Sequence, residues 1–247
     1  WSGESGYLAS KLSKQYGIPL VTTVCGGETA AIPSINYGSM LKFWQRRFVN
    51  RTFRRASVIN ALSYYAAEQI NAVYKNKYAQ KIKILPFGLD EKMFSPAVNN
   101  SPSKRLINIA SAVPVKAHND LFRAFKIVLE KFPDLKLECY GRDDNNLLAS
   151  LAASCGIEKN VVLNGYTKYE QLPLILNDSL LYVLSSLHEA ENMSIVEAAF
   201  CGVPVVSTAV GLAGELTENT VLPGDYKALA SKINFVLNNY EIEKQKS

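Results

Sequence analysis

The chain has 247 residues, 48% of them hydrophobic, and a formal net charge of +5. That is enough for one large domain or two small ones, each with its own core; the mild positive charge suits an anionic partner, such as a nucleotide or an anionic lipid surface, without demanding nucleic acid. No apolar run reaches membrane-spanning length and no signal-peptide pattern is seen, while four cysteines without a C-x-x-C pair and only two histidines argue against a zinc site and for a reduced, cytoplasmic setting.

The chain starts at Trp1, and Gly6 to Tyr16 reads as a helix ahead of any strand. A doubly wound domain normally begins with a strand, so an N-terminal part of a longer protein is expected to precede this chain. Strands are then predicted at Leu20–Val24, Ser57–Ala61, Ile82–Leu85, Leu106–Ala110, Leu135–Tyr140, Val161–Asn164, Leu180–Leu184, Pro204–Ser207 and Thr220–Leu222. Helical stretches such as His118–Lys131 and Asn145–Cys155 lie between most of them. This alternation predicts an α/β fold built on parallel sheets.

After the first strand comes Cys25-Gly26-Gly27-Glu28. Paired glycines at a strand end allow a ligand to approach the backbone closely, although an ordinary tight turn is the simpler reading. The stretch Lys42 to Arg55 is basic and aromatic. A helix with Trp44, Phe48 and Val49 on a packed face and arginines in solvent accounts for it; contact with an anionic membrane surface is the sharper alternative. The segment Phe94 to Ser103 is polar, holds two prolines and has no period, so residues 95–103 read as a linker between a domain at 1–94 and another at 104–247.

The most informative stretch is His188-Glu189-Ala190-Glu191-Asn192-Met193-Ser194-Ile195-Val196-Glu197. It follows an apolar run that reads as a buried parallel strand. It precedes a helix, expected from Ile195 to Cys201, that Gly202 and Pro204 should stop. Glu189 and Glu197 thus bracket a loop leaving the carboxyl end of a strand for a helix N-terminus, where open α/β sheets bind ligands and unpaired N–H groups favour an anion. Taken alone, Ser194 to Glu197 is also a capping box, and Glu189 is an ordinary loop acid.

Glu189, seven residues and Glu197, then a helix, Cys201-Gly202-Val203-Pro204-Val205-Val206 and the turn at Val210-Gly211, together resemble the signature of retaining glycosyltransferases of family four, with the two-domain GT-B fold. The resemblance implies a Rossmann-like donor-binding domain at 104–247, a partial Rossmann-like acceptor-side domain at 1–94, and an interdomain crossover at Pro86 to Phe94. It implies that Glu197 holds the ribose of a nucleotide-sugar donor, and that Glu189 contacts the sugar and supports an oxocarbenium-like transition state. The backbone from Ala190 through Glu191, Asn192 and Met193 to Ser194 would approach the sugar and diphosphate. This chain lacks the commoner Gly-Phe-Gly there, and of its residues Asn192 best tolerates a positive φ.

Lys116, in a strand-end loop, matches the family's diphosphate-binding lysine, whereas Ser111 stands where an arginine is usual and offers a donor without charge. Gly165-Tyr166-Thr167 would receive the nucleobase, and Gly27 would lie on the cleft wall. His118 reads as a helix-start residue rather than a proton carrier. No metal or other cofactor is implied. The expected partners are a nucleotide-sugar donor and a sugar or lipid-linked acceptor, in polysaccharide or glycolipid biosynthesis. A non-catalytic nucleotide-sugar binder and a nucleotide-sugar epimerase on the same fold are the alternatives. A nicotinamide enzyme fits poorly, since no G-x-G-x-x-G opens a helix after a strand.

Overall fold

The computed structural model describes residues 2–97 and 102–246. It divides into two compact units. The described residues up to Phe87 form the first, together with His188–Asn192 and Val210–Leu212; the other described residues form the second. The sequence expectation put the division farther along, at 95–103, of which residues 98–101 lie outside the described ones. Of the expected linker, Ser95 and Ala97 are held rather than loose: the Asn177 side chain donates to Ser95 O at 3.0 Å and accepts from Ala97 N at 2.7 Å.

The first unit runs α1 (Glu4–Tyr16), β1 (Val21–Val24), α2 (Phe43–Arg55), β2 (Val58–Ala61), α3 (Tyr64–Tyr74) and β3 (Ile82–Ile84). Its three strands pair in parallel in the order β1-β2-β3. Gly17 ends α1 in the left-handed region at φ 68°, a conformation that costs glycine little. Val24, Phe53, Ile59, Leu62 and Ile70 form its core. In α2 the buried face is Val49, Thr52 and Phe53, with Phe48 stacked on Tyr7 at 4.7 Å. Trp44 is not on that face, contrary to expectation. It is 67% exposed, in the first helical turn, and forms an edge-on ring pair with the equally exposed Phe43.

The second unit runs β4 (Ser103–Ile109), α4 (His118–Lys131), β5 (Lys136–Tyr140), α5 (Leu147–Cys155), β6 (Val161–Gly165), α6 (Leu172–Asn177), β7 (Ser179–Leu184), α7 (Met193–Phe200), β8 (Val205–Thr208), α8 (Ala213–Leu216), β9 (Thr220–Val221), α9 (Tyr226–Asn238) and α10 (Tyr240–Gln245). Six parallel strands lie in the order β6-β5-β4-β7-β8-β9. Leu106, Phe122, Phe125, Leu137, Val183, Val206 and Ile233 belong to its core. Central β7 is buried along most of its length, which explains its unbroken apolar reading. Strand order reverses between β4 and β7. In open α/β sheets the crevice outside such a reversal takes the ligand, and it is from these two carboxyl ends that the Lys116 loop and the acidic loop depart.

Candidate functional site

In the second unit the loops beyond β4, β5, β6 and β7 are stitched together by backbone. Ala112 N donates to Arg142 O at 2.7 Å, and Gly141 N to Gly165 O at 2.8 Å. Gly141 is needed where it stands: a Cβ there would lie 2.3 Å from Ala110 O. Lys116 ends a short 3-10 turn, followed by Ala117 at φ 49° and then by α4. Its carbonyl accepts from the Ser185 hydroxyl at 2.8 Å, and Val115 O accepts from Leu187 N at 2.8 Å. The Lys116 loop is therefore bonded to the stretch from which the acidic loop emerges. Ser111 is exposed, as are Gly165 and Tyr166, the latter at 73%; Thr167 is half-buried. His118 is buried, and its pKa is pushed down to about 4, by desolvation first and by Lys116 second. A ring that stays neutral at pH 7 is a poor proton carrier there.

Helix α7 begins at Met193, two residues before the expected start, and ends as expected: Gly202 sits at φ 68°, its N–H bonded to Ala199 O and that of Val203 to Ala198 O. Glu197 is buried on this helix. Burial raises its pKa, and a hydrogen bond from the Tyr169 hydroxyl partly offsets the rise. The Ser194 hydroxyl lies 2.6 Å from the Tyr182 hydroxyl, which also meets the Ile109 backbone. Both side chains of the expected capping box thus have partners elsewhere. Tyr182 ties the start of α7 to the carboxyl end of β4.

The acidic loop packs with the first unit. Glu189 is half-buried, and Asn192 Nδ2 donates to its Oε1 at 3.3 Å. Asn192 takes φ 73°, so one asparagine supplies the left-handed residue that the loop requires, while Ala190 keeps a negative φ. Ala190 is buried and accepts from the Ser63 hydroxyl at 2.6 Å. Glu191 is only 4% exposed; its Oε1 accepts from Phe87 N at 2.8 Å, and its pKa is raised by burial. Its carbonyl accepts from Leu212 N at 3.0 Å. Gly211, at φ 59°, lets that carbonyl approach: a Cβ there would lie 2.4 Å from Glu191 O. The turn glycine of the motif has its reason in this contact.

The Gly26–Gly27 turn is braced by Glu28, whose carboxylate accepts from Cys25 N and Ser2 N at 3.1 and 3.2 Å. Glu28 is therefore occupied with the turn itself. The Tyr37 hydroxyl lies 3.5 Å from where a Gly27 Cβ would be. The Tyr37 and Tyr65 phenols both have raised pKa values, from burial first and from Glu189 second. Gly27, Glu189, Ala190, Glu191 and Asn192 thus belong to the first unit; Ser111, Lys116, Gly165, Tyr166, Thr167, Met193, Ser194 and Glu197 belong to the second.

Sequence reasoning did not anticipate the Glu191 side-chain tether, the Tyr169 bond to Glu197 or the Tyr182–Ser194 pair. Only the first had a visible signal, an acid at a position where the loop would be expected to carry an apolar ring. Among the described residues, no group of three or more His, Cys, Asp or Glu is placed to hold a metal, and no helix is long and apolar enough to cross a membrane.

Residues 90–247 match the family model described as "Glycosyl transferases group 1". The chain is 27% identical over 169 residues to an MMP alpha-(1->4)-mannosyltransferase of Mycolicibacterium hassiacum, covering 65% of this chain and 40% of that protein. It is 29% identical over 151 residues to a poly(ribitol-phosphate) alpha-N-acetylglucosaminyltransferase of Staphylococcus aureus, covering 57% and 30%. The fold is similar to that of sucrose-phosphate synthase from Thermosynechococcus elongatus (TM-score 0.79, 18% identity, 98% of this chain and 64% of that one). It is also similar to S. aureus TarM in complex with fondaparinux, alpha-GlcNAc-glycerol and UDP (TM-score 0.77, 17% identity, 96% and 48%). The fold is thus GT-B, and the chain spans less than half the length of the curated relatives named here.

Proposed function

From the premise that the chain belongs to the glycosyl transferases group 1 family, we propose that the protein transfers a sugar from a nucleotide-diphosphate donor to an acceptor hydroxyl with retention of configuration. The observation that carries this reading is the acidic loop. Its paired acids, its left-handed Asn192 and the Gly211 contact arise together at the carboxyl end of β7, beside the strand-order reversal. The names of the relatives, a mannosyltransferase and an N-acetylglucosaminyltransferase, support sugar transfer.

In this reading Glu197 accepts hydroxyl hydrogen bonds from the ribose. Tyr169 already donates to this buried carboxylate, and the ribose hydroxyls add further hydrogen bonds to a charged acceptor, the stronger kind. Glu189 faces the sugar and stabilises positive charge developing at the anomeric carbon. The Lys116 ammonium, the Ser111 hydroxyl and the N-terminal N–H groups of α7 hold the diphosphate and offset the charge it gains on leaving. The acceptor attacks on the face the diphosphate leaves, and the departing oxygen takes its proton. No side chain forms a covalent intermediate. Backbone groups at Gly165, Tyr166 and Thr167 receive the base, and Gly27 borders the donor.

The acceptor is a sugar or a lipid-linked glycan in polysaccharide or glycolipid assembly, and the protein works in the cytoplasm at the inner face of a membrane. Support for the last point comes from α2. Between Glu28 and Glu68 the chain has no acidic residue, while Lys42, Arg46, Arg47, Arg51, Arg54 and Arg55 are all there, beside the exposed Phe43 and Trp44. Sedimentation with phosphatidylserine vesicles tests it: Arg46, Arg47 and Arg51 changed together to Glu should release the protein, and unchanged binding removes the membrane role.

The test of the central reading uses the full-length protein and a panel of nucleotide sugars. Glu197→Ala should weaken nucleotide binding by about 10–100-fold, the worth of a hydrogen bond to a charged group. Glu189→Ala should lower kcat by roughly 100-fold or more at little cost in affinity. Nucleotide affinity unchanged in Glu197→Ala, measured by calorimetry, refutes the ribose assignment.

A further inference from the structure

His188 directly precedes the first signature acid. It is 6% exposed. Its Nε2 lies 3.1 Å from Gly26 O and its Nδ1 lies 3.3 Å from the Tyr65 hydroxyl. A carbonyl can only accept, so Nε2 carries the proton and donates it; Nδ1 then accepts from Tyr65. Burial favours the neutral ring that this arrangement needs, holding its pKa below the usual histidine value, with the Gly26 bond and then the Glu189 and Glu28 charges acting the other way. Tyr37 and Tyr65 flank the ring at 6.3 and 5.7 Å between centroids.

The carbonyl that His188 grips belongs to the Gly26–Gly27 peptide. No peptide bond among the described residues is cis. In a planar trans peptide the Gly27 N–H points opposite to the Gly26 C=O, so fixing the carbonyl aims the amide. A peptide between two glycines is the one most able to flip, because neither residue has a Cβ to restrict φ and ψ. Glu28 braces the residue before this peptide, at Cys25 N, and Thr29 N also bonds Gly26 O at 3.3 Å. From the acidic loop, His188 supplies a bond to this carbonyl.

We propose that His188 is a positioning residue that locks the Gly26–Gly27 peptide plane, aiming the Gly27 N–H at the diphosphate of the donor, with Tyr65 holding the far side of the ring. This rests on the reading that Gly27 borders the donor. Because His188 and Glu189 are adjacent in sequence, the same side chain couples the turn to the residue that faces the sugar.

Two kinds of measurement separate this proposal from the reading beneath it. The first needs no ligand. In nitrogen-detected NMR of the full-length protein, His188 should show the Nε2–H tautomer, stay neutral down to below pH 6.5 and keep that tautomer in Tyr65→Phe, where the Gly26 carbonyl still demands a donor; the Gly26 carbonyl carbon resonance should move in His188→Ala and be restored in His188→Gln, whose amide can still donate. A His188 ring protonated at Nδ1 when neutral, or a Gly26 carbonyl resonance indifferent to both changes, overturns the lock whatever the protein binds.

The second uses inorganic pyrophosphate, which carries the diphosphate and no base. His188→Ala should weaken it about tenfold, the worth of one hydrogen bond, with His188→Gln within about threefold of wild type, while binding of the free nucleoside stays unchanged. Equal pyrophosphate affinity in wild type and His188→Ala, or no pyrophosphate binding by either, overturns the link to the diphosphate; if the NMR signals behave as expected alongside, the lock stands and it is the placement of Gly27 at the donor that fails.

Discussion

Substituting Gly211 by alanine should damage the protein by two separable routes. The first is backbone strain: at φ 59° a residue with a Cβ pays about 1–2 kcal/mol. The second is collision. The new methyl would lie 2.4 Å from Glu191 O, 2.9 Å from Glu191 C and 3.1 Å from Glu189 Cβ, and displacing backbone to relieve such overlap costs about 1–3 kcal/mol. Gly17→Ala isolates the first route, because Gly17 has φ 68° and nothing within 4 Å of its would-be Cβ. Gly211→Ala should therefore cost about 3 kcal/mol in total and Gly17→Ala about 1. At roughly 2–4 °C per kcal/mol for a chain of this size, the thermal midpoints should fall by about 6–12 °C and about 2–4 °C. Thermal unfolding of both variants, with nucleotide-sugar turnover in parallel, gives the comparison. On the proposed reading Gly211→Ala should also lose turnover, because the displaced atoms are the Glu191 backbone and the Glu189 side chain. Equal midpoints in the two variants would show that the Gly211 contact places no demand on the loop.

Ala117 also sits in the left-handed region, at φ 49°, directly after Lys116; Ala117→Gly should stabilise the protein by about 1 kcal/mol, and a destabilised variant in urea titration would contradict the strain. Glu191 has a folded-state pKa above its ordinary value of 4.5, so the folded state binds more protons than the unfolded one between the two values. Its contribution is then most favourable at or below pH 4.5 and is lost as pH rises through the folded value. Glu191→Gln keeps an oxygen for the Phe87 N–H without the charge. The stability of the wild type relative to this variant should fall as pH rises from 4.5 toward neutrality, and a flat difference across that range in denaturant titrations refutes the shift.

The elements of both units were legible because their local signals agree with their burial. All nine strands fall within a few residues of expectation, and α4 matches its predicted span from His118 to Lys131. The apolar runs of β7 and β8 lie in the interior of a parallel sheet, where no polar face interrupts the pattern. Gly202 and Asn192 were readable for the same kind of reason: a left-handed position restricts residue type strongly enough to show in one sequence. What stayed hidden depends on contacts far apart in the chain. Trp44 shares helical spacing with Phe48, yet only tertiary packing decides that burial begins with Phe48 and not one turn earlier. Tyr169 finds Glu197 through the fold, with no local pattern to announce it. Nothing local to Cys25-Gly26-Gly27-Glu28 shows where the Glu28 carboxylate goes, and two backbone N–H groups, one of them at Ser2, account for it.

The bond from Phe87 N to Glu191 spans 104 positions of the chain. Closing so long a loop costs about 4 kcal/mol of chain entropy on its length alone, several times what one hydrogen bond returns in water. This bond cannot form early in folding. It waits until the strands on either side have already brought its ends together, so substitutions at Glu191 should leave the refolding rate nearly untouched and speed unfolding instead.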